Sequence, residues 1–252
     1  MSGRTLASHA DAPRVSALRA AAFALLRRIA DKHAPAVLAS SFGAEDMVLL
    51  DLIADNALPI QIATLDTGRL PDETYALIER ARERYGVSIF VHCPDASELE
   101  SFVSKHGVNA FYHSVELRRS CCTIRKAAPL ARALVSKRAW ITGQRRAQAA
   151  IRSGVEIEEF DAEHAMLKFN PLADWSEADV WAYIRAYDVP YNSLHDRGFP
   201  SIGCAPCTRA IEAHEDIRAG RWWWERDEHK ECGLHRRPLN VSIKVLAPGV
   251  RS

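Results

Sequence analysis

The chain has 252 residues, of which 48% are hydrophobic and 26% charged, and its formal net charge is +1. That is enough apolar material for one large globular domain, or for one domain with an appendage. A charge so close to zero excludes a global field for nucleic acid or an anionic membrane, so any anion must be held by a local cluster of basic side chains.

Residues 17–30 are apolar but carry Arg19, Arg27 and Arg28, which suits an amphipathic helix and not a secretory core. Asp11 and Asp31 count against an organellar transit segment, and no apolar run reaches the length of a membrane span, so a cytoplasmic location is expected. Residues 36–40 are a short apolar run ending in small side chains, and residues 44–56 follow with helical spacing. Residues 59–65 are a second strand candidate, followed by a helix from Pro71, with proline in its first turn. Residues 88–92 and 139–142 supply a third and a fourth strand.

Strands alternating with helices predict an α/β fold: a doubly wound, mostly parallel sheet with helices on both faces. Ligands of such sheets bind beyond the carboxyl ends of the strands. Three polar turns are expected there: Ser40-Ser41-Phe42-Gly43, Asp66-Thr67-Gly68-Arg69 and Gly143-Gln144-Arg145-Arg146. Residues 176–187 form a further helix, since Ser176 and Asp179 have capping-box spacing and Val180, Tyr183, Ile184 and Tyr187 recur on one face. Residues 191–208 read as an ordered loop rich in Pro, Gly and Asn, and the chain beyond Cys232 as an irregular tail. The expected divisions are an N-terminal helical segment (1–35), a nucleotide-binding α/β domain with the cysteine site (36–217) and a C-terminal tail (218–252).

Ser40-Ser41-Phe42-Gly43 follows a strand and opens a helix, so backbone N–H groups and hydroxyls can approach a phosphate with help from the helix dipole. It is not a Walker A loop, because the Gly-Lys-Ser/Thr ending is missing. Asp66 suits either a ribose hydroxyl or the cap of a turn. The two turns on one sheet edge together point to a nucleotide.

There are six cysteines, and without a signal peptide they read better as metal ligands or catalytic groups than as a disulfide framework. Cys121 and Cys122 are adjacent, and Cys204-Ala205-Pro206-Cys207 is a C-x-x-C pair. Four thiolates suit zinc or a four-iron cluster. Neighbouring helical cysteines diverge by roughly 100°, which is awkward at one small ion and easier on two irons of a cubane. A cluster is therefore favoured over zinc, a redox dithiol or core cysteines. Cys232 stands apart, with Lys230, Arg236 and Arg237 nearby, a setting that makes thiolate available. Cys93 follows a strand candidate and is expected in the core.

The chain resembles the assimilatory adenylyl-sulfate reductases, of the iron–sulfur-containing type, within the wider adenylyl-sulfate and phosphoadenylyl-sulfate reductase family. The resemblance runs from about residue 40 to 235. It rests on Ser40-Ser41-Phe42-Gly43, Leu65-Asp66-Thr67-Gly68, Cys121-Cys122-Thr123-Ile124-Arg125-Lys126, Gly143-Gln144-Arg145, Trp175 with Asp179-Val180-Trp181, Ile202-Gly203-Cys204-Ala205-Pro206-Cys207-Thr208 and Glu231-Cys232-Gly233-Leu234-His235. It implies an adenine nucleotide alpha hydrolase-like fold of the PP-loop type and a [4Fe-4S] cluster on Cys121, Cys122, Cys204 and Cys207. Cys232 would attack the sulfur of adenylyl sulfate, AMP would leave, and thioredoxin would release sulfite from a Cys–S–sulfonate, as a step of sulfate assimilation. The substrate-binding residues implied are Ser40, Ser41, Gly43, Asp66, Lys126, Gly143, Arg152, Arg218, Arg221 and His235. A homo-oligomer is compatible with this reading.

Three rivals remain. A phosphoadenylyl-sulfate reductase generally lacks the cluster cysteines. An adenylating PP-loop enzyme would carry a Ser-Gly-Gly-x-Asp-Ser loop, which does not stand at residues 40–45. A non-enzymatic iron–sulfur or zinc sensor would need neither Cys232 nor a nucleotide site.

Overall fold

The computed structural model describes residues 12–149 and 152–225. The apolar N-terminal stretch is one long helix, α1 (Ala12–Lys32), followed by β1 (Ala36–Ser40), α2 (Ala44–Asp55), β2 (Ile60–Leu65) and α3 (Asp72–Tyr85). Pro71 stands at the N-cap of α3, and Gly86 ends it at φ 62, a left-handed conformation open to glycine. β3 (Ile89–His92), α4 (Ala96–His106), α5 (Val115–Cys122) and α6 (Ala128–Leu134) lead to β4 (Ala139–Ile141). The hairpin β5 (Glu158–Asp161) and β6 (Met166–Phe169) then precedes α7 (Glu177–Tyr187), whose N-terminus carries the expected Ser176–Asp179 capping box.

One six-stranded sheet has the order β3-β2-β1-β4-β6-β5. All neighbours are parallel except β5 and β6. Alternation along the strands sends side chains to two cores. Leu38, Ile62 and Ile141 meet α1, α2, α3 and α7 on one face, through residues such as Leu26, Met47, Leu77 and Tyr183. Val37, Ala63 and Trp140 meet Leu130, Ala133 and Leu134 of α6 on the other. This is the doubly wound arrangement expected.

Two expectations change. β5 and β6 were not among the sequence's strand candidates, because Glu158-Glu159-Phe160-Asp161 lacks apolar alternation and Phe160 is left 65% exposed. Cys93 is exposed and not in the core: it leaves the end of β3, which is an edge strand. Among the described residues, no helix is long and apolar enough to cross a membrane.

Candidate functional site

The carboxyl ends of β1, β2 and β4 open onto one cleft with about 1470 Å³ of empty space, part of it open to solvent. The strand order runs one way through β2 and β3 and the other way through β4, so the cleft sits at the topological switch point.

The first turn is organised around Asp46. Its carboxylate accepts the amide and hydroxyl of Ser41 at 2.6 and 2.7 Å and the amide of Gly143 at 3.1 Å. Ser40 Oγ accepts the amide of Phe42, which takes a left-handed φ of 59°. Gly143 is required by the close approach of the two turns: a Cβ there would lie 2.5 Å from Asp46 Oδ1 and 2.8 Å from Glu45 Cβ. Burial pushes Asp46 up to about 6, against the lowering effect of its hydrogen bonds. Neighbouring Glu45 is paired with Arg145 at 2.7 Å and accepts Gln148 Nε2 at 2.9 Å. Gln148 Oε1 in turn accepts from Arg152. Glu45, Asp46 and Gln148 carried no motif that would have marked them in advance, whereas Arg145 belongs to the third polar turn.

Asp66 bonds within its own turn. Its Oδ1 caps the turn, accepting the Gly68 amide at 2.8 Å and the Tyr75 hydroxyl at 2.7 Å. Burial, helped by Asp66, pushes the Tyr75 phenol up to about 12. Asp66 is not among the cleft-lining residues, whereas its neighbour Thr67 is.

Lys126, Arg152, Arg218 and Arg221 all line the cleft, together with Ser40, Ser41, Gly43 and Gly143. Lys126 does not sit on a regular helix. The chain widens to a π-helical turn over Thr123–Ala127, between α5 and α6, a device common at functional sites. Arg221 is 7% exposed and lies flat across Gly203, where a Cβ would fall 2.3 Å from its Nη2. It donates to Ser201 Oγ and the Ile202 carbonyl, both at 3.3 Å. Residues 218–225 therefore pack onto the domain, with an isolated bridge between Thr208 and Arg221.

Cys121, Cys122, Cys204 and Cys207 line a second, narrow pocket with about 350 Å³ of empty space, open solvent included, framed by Phe111, Arg125 and Trp222. Cys204 is tied to the second turn: Thr67 Oγ1 lies 3.3 Å from its sulfur, and the Ala205 amide donates to the Arg69 carbonyl at 2.8 Å. Arg125 donates to the Thr67 carbonyl at 2.5 Å. Burial pushes Cys207 up to about 12, and Cys204 adds to it while Lys126 and Arg221 oppose. Burial also raises Cys121, against Arg125 and Arg69. No group of three or more His, Cys, Asp or Glu among the described residues is arranged to hold a metal ion. The donor set of the pocket is nonetheless all thiol and ringed by cations, which is the chemistry that a thiolate-bound metal group takes. Cys232 and His235 lie outside the described residues.

A model of the phosphoadenosine phosphosulfate reductase domain matches residues 35–210. The chain belongs to the phosphoadenosine phosphosulfate reductase family. It is a sulfonucleotide reductase, an oxidoreductase acting on sulfur. The family match spans the sheet, both turns and the C-x-x-C pair, and ends before Arg218 and Arg221. Relatives include the adenosine 5'-phosphosulfate reductase of Burkholderia cepacia, 56% identical over 212 residues, which are 84% of this chain and 85% of that protein. That of Allochromatium vinosum is 53% identical over 218 residues, 86% of this chain and 85% of that protein. Among solved structures, a phosphoadenylyl-sulfate reductase from Candida auris in a phosphate complex superposes with a TM-score of 0.65 at 26% identity, covering 83% of this chain and 100% of that one. Candida glabrata FMN adenylyltransferase, in complex with FAD and inorganic pyrophosphate, reaches 0.54 at 16% identity over 90% of this chain and 80% of that one, a likeness of fold alone.

Proposed function

We propose that this chain reduces adenylyl sulfate to sulfite and AMP, with thioredoxin as electron donor, through a sulfonate carried on Cys232. The observation that carries the reading is that the two pockets are neighbours with shared walls. Lys126, Cys204 and Trp222 line both the cleft at the strand ends and the cysteine pocket. In a chain of net charge +1, Lys126, Arg152, Arg218 and Arg221 meet at that cleft, which suits an anionic phosphosulfate.

The chemistry follows from the residue types. The Cys232 thiolate attacks the sulfonate sulfur, the sulfur–oxygen bond to the phosphate breaks, and its electron pair leaves with AMP. Lys126, Arg218 and Arg221, with His235, neutralise the charge that develops on the departing phosphate. A thioredoxin thiolate then attacks the Cys232 sulfur, the sulfur–sulfur bond breaks, and sulfite departs with the electron pair. The second thioredoxin thiol displaces Cys232, so the donor ends as a disulfide and the enzyme thiolate is restored. Ser40, Ser41, Gly43 and Gly143 shape the floor on which the nucleotide rests. Cys121, Cys122, Cys204 and Cys207 would hold a four-iron cluster, which when bound supplies fixed charge beside the cleft. Residues 218–252 form the functional tail, and the enzyme works in the cytoplasm in sulfate assimilation.

The test is sulfite release by anaerobically purified enzyme with thioredoxin, comparing kcat/KM for adenylyl sulfate and its 3'-phosphorylated form. Adenylyl sulfate is expected to be preferred. A clear advantage for the phosphorylated nucleotide reverses the substrate assignment, and sulfite from neither overturns the reading.

A further inference from the structure

Arg118 and Glu225 form an ion pair with no part in the chemistry above. Arg118 lies on α5, three residues before Cys121. Its Nε donates to Glu225 Oε1 at 2.9 Å and its Nη2 to Oε2 at 2.6 Å, a two-pronged bond. The side chains are only 1% and 3% exposed. The Arg118 guanidinium also stands 4.8 Å from the centre of the Trp222 ring, and the Arg221 guanidinium stands at the same distance. Trp222 is fully buried, takes a left-handed φ of 44°, and donates its amide to the Cys207 carbonyl at 3.2 Å. One clasp thus joins the helix of Cys121 and Cys122, the turn of Cys207, and the root of the C-terminal segment.

Burying two charges is costly, and apolar residues of similar volume are often as stable or more so. What an apolar pair does not supply is orientation: the planar fork of arginine meets a carboxylate in one geometry. Cys232 follows Glu225 by seven residues. Seven residues span at most about 25 Å when fully extended. The placement of Glu225 therefore sets the region that Cys232 can reach, and the same clasp holds Trp222 beside Arg221.

We propose that Arg118 and Glu225 are positioning residues for the sulfonucleotide reaction: their ion pair fixes Arg221 at the cleft and sets the point from which the chain runs on to Cys232. This rests on the reading of Cys232 as the nucleophile.

The experiment uses full-length enzyme purified anaerobically, mixed with adenylyl sulfate and no reductant, with the rate of Cys232 sulfonation read by mass spectrometry. Two variants separate positioning from stability. Arg118→Met with Glu225→Met removes the buried charges together and is expected to keep the thermal stability of the wild type. Arg118→Lys keeps the charge and loses the fork. Both are expected to sulfonate Cys232 between ten and about a hundred times more slowly, the scale on which a misplacement of ~1 Å acts. A wild-type rate in either folded variant overturns the proposal. Absence of the adduct in the wild-type enzyme itself removes the reading of Cys232 and the proposal with it.

Discussion

The carboxylate of Asp46 accepts the backbone N–H of Gly143 at 3.1 Å, joining the first turn of α2 to the end of β4 across the switch point of the sheet. The same carboxylate takes the amide and hydroxyl of Ser41. The floor of the cleft therefore depends on one buried acid.

That acid has a pH signature. Burial pushes Asp46 up to about 6, whereas an aspartate in an unfolded chain titrates near about 3.9. The folded protein holds the proton where the unfolded chain has lost it. The contribution of Asp46 to stability is thus full below about pH 4 and lost as pH rises through about 6, a swing of about 3 kcal/mol. Asp46→Asn should remove this dependence. Urea midpoints of the two proteins, compared from about pH 4 to about pH 7, should show the wild type losing ground to the variant as pH rises. A difference that stays constant with pH would show that Asp46 does not titrate in this window.

Gly203→Ala should act through Arg221. The new Cβ would stand 2.3 Å from Nη2 and 2.6 Å from Cζ of Arg221, so the guanidinium must move. Losing one charge-assisted hydrogen bond costs about 1.5–3 kcal/mol, and KM for adenylyl sulfate should rise roughly ten- to a hundredfold. An unchanged KM would mean that Arg221 binds no substrate.

Lys126→Ala and Arg218→Ala should each weaken the handling of adenylyl sulfate on the same scale, roughly ten- to a hundredfold in kcat/KM. Both residues line the cleft. Steady-state kinetics at fixed ionic strength checks this, and unchanged values for either variant would remove that residue from the site.

The cysteine pocket makes a compositional prediction. Anaerobic enzyme should be brown and carry about four iron and four acid-labile sulfide per chain, as a cubane on four thiolates requires. Cys204→Ser should lose most of both. Stoichiometric zinc without sulfide would contradict the cluster.

Much of this was legible in the chain because it is local. The first four strands are short apolar runs, and the Ser176–Asp179 box marks the start of α7 without help from the rest of the fold. β6 was hidden by Lys168, which is buried only because Gln144 and Glu159 receive its ammonium at 2.7 and 2.8 Å. Cys93 follows an apolar run, but that run is an edge strand with Phe90 and Val91 about half exposed, at 51% and 48%. The site was legible as a set of turns and cysteines, not as a network. Asp46, Arg145 and the Arg118–Glu225 clasp bond to residues about a hundred positions away, and such partners leave no spacing to read. The Asp66 cap is completed by Tyr75, nine residues downstream, a partner that the turn's own residues do not announce.

The central claim is that Cys232 is the nucleophile and is separate from the cysteines of the pocket. Enzyme incubated with adenylyl sulfate in the absence of reductant should gain one sulfonate, about 80 Da from its atoms, as covalent nucleophilic catalysis requires. Peptide mapping should place it on Cys232. Cys232→Ser should keep its iron, bind AMP and release no sulfite. An adduct on another cysteine, or sulfite release by Cys232→Ser, would contradict the account.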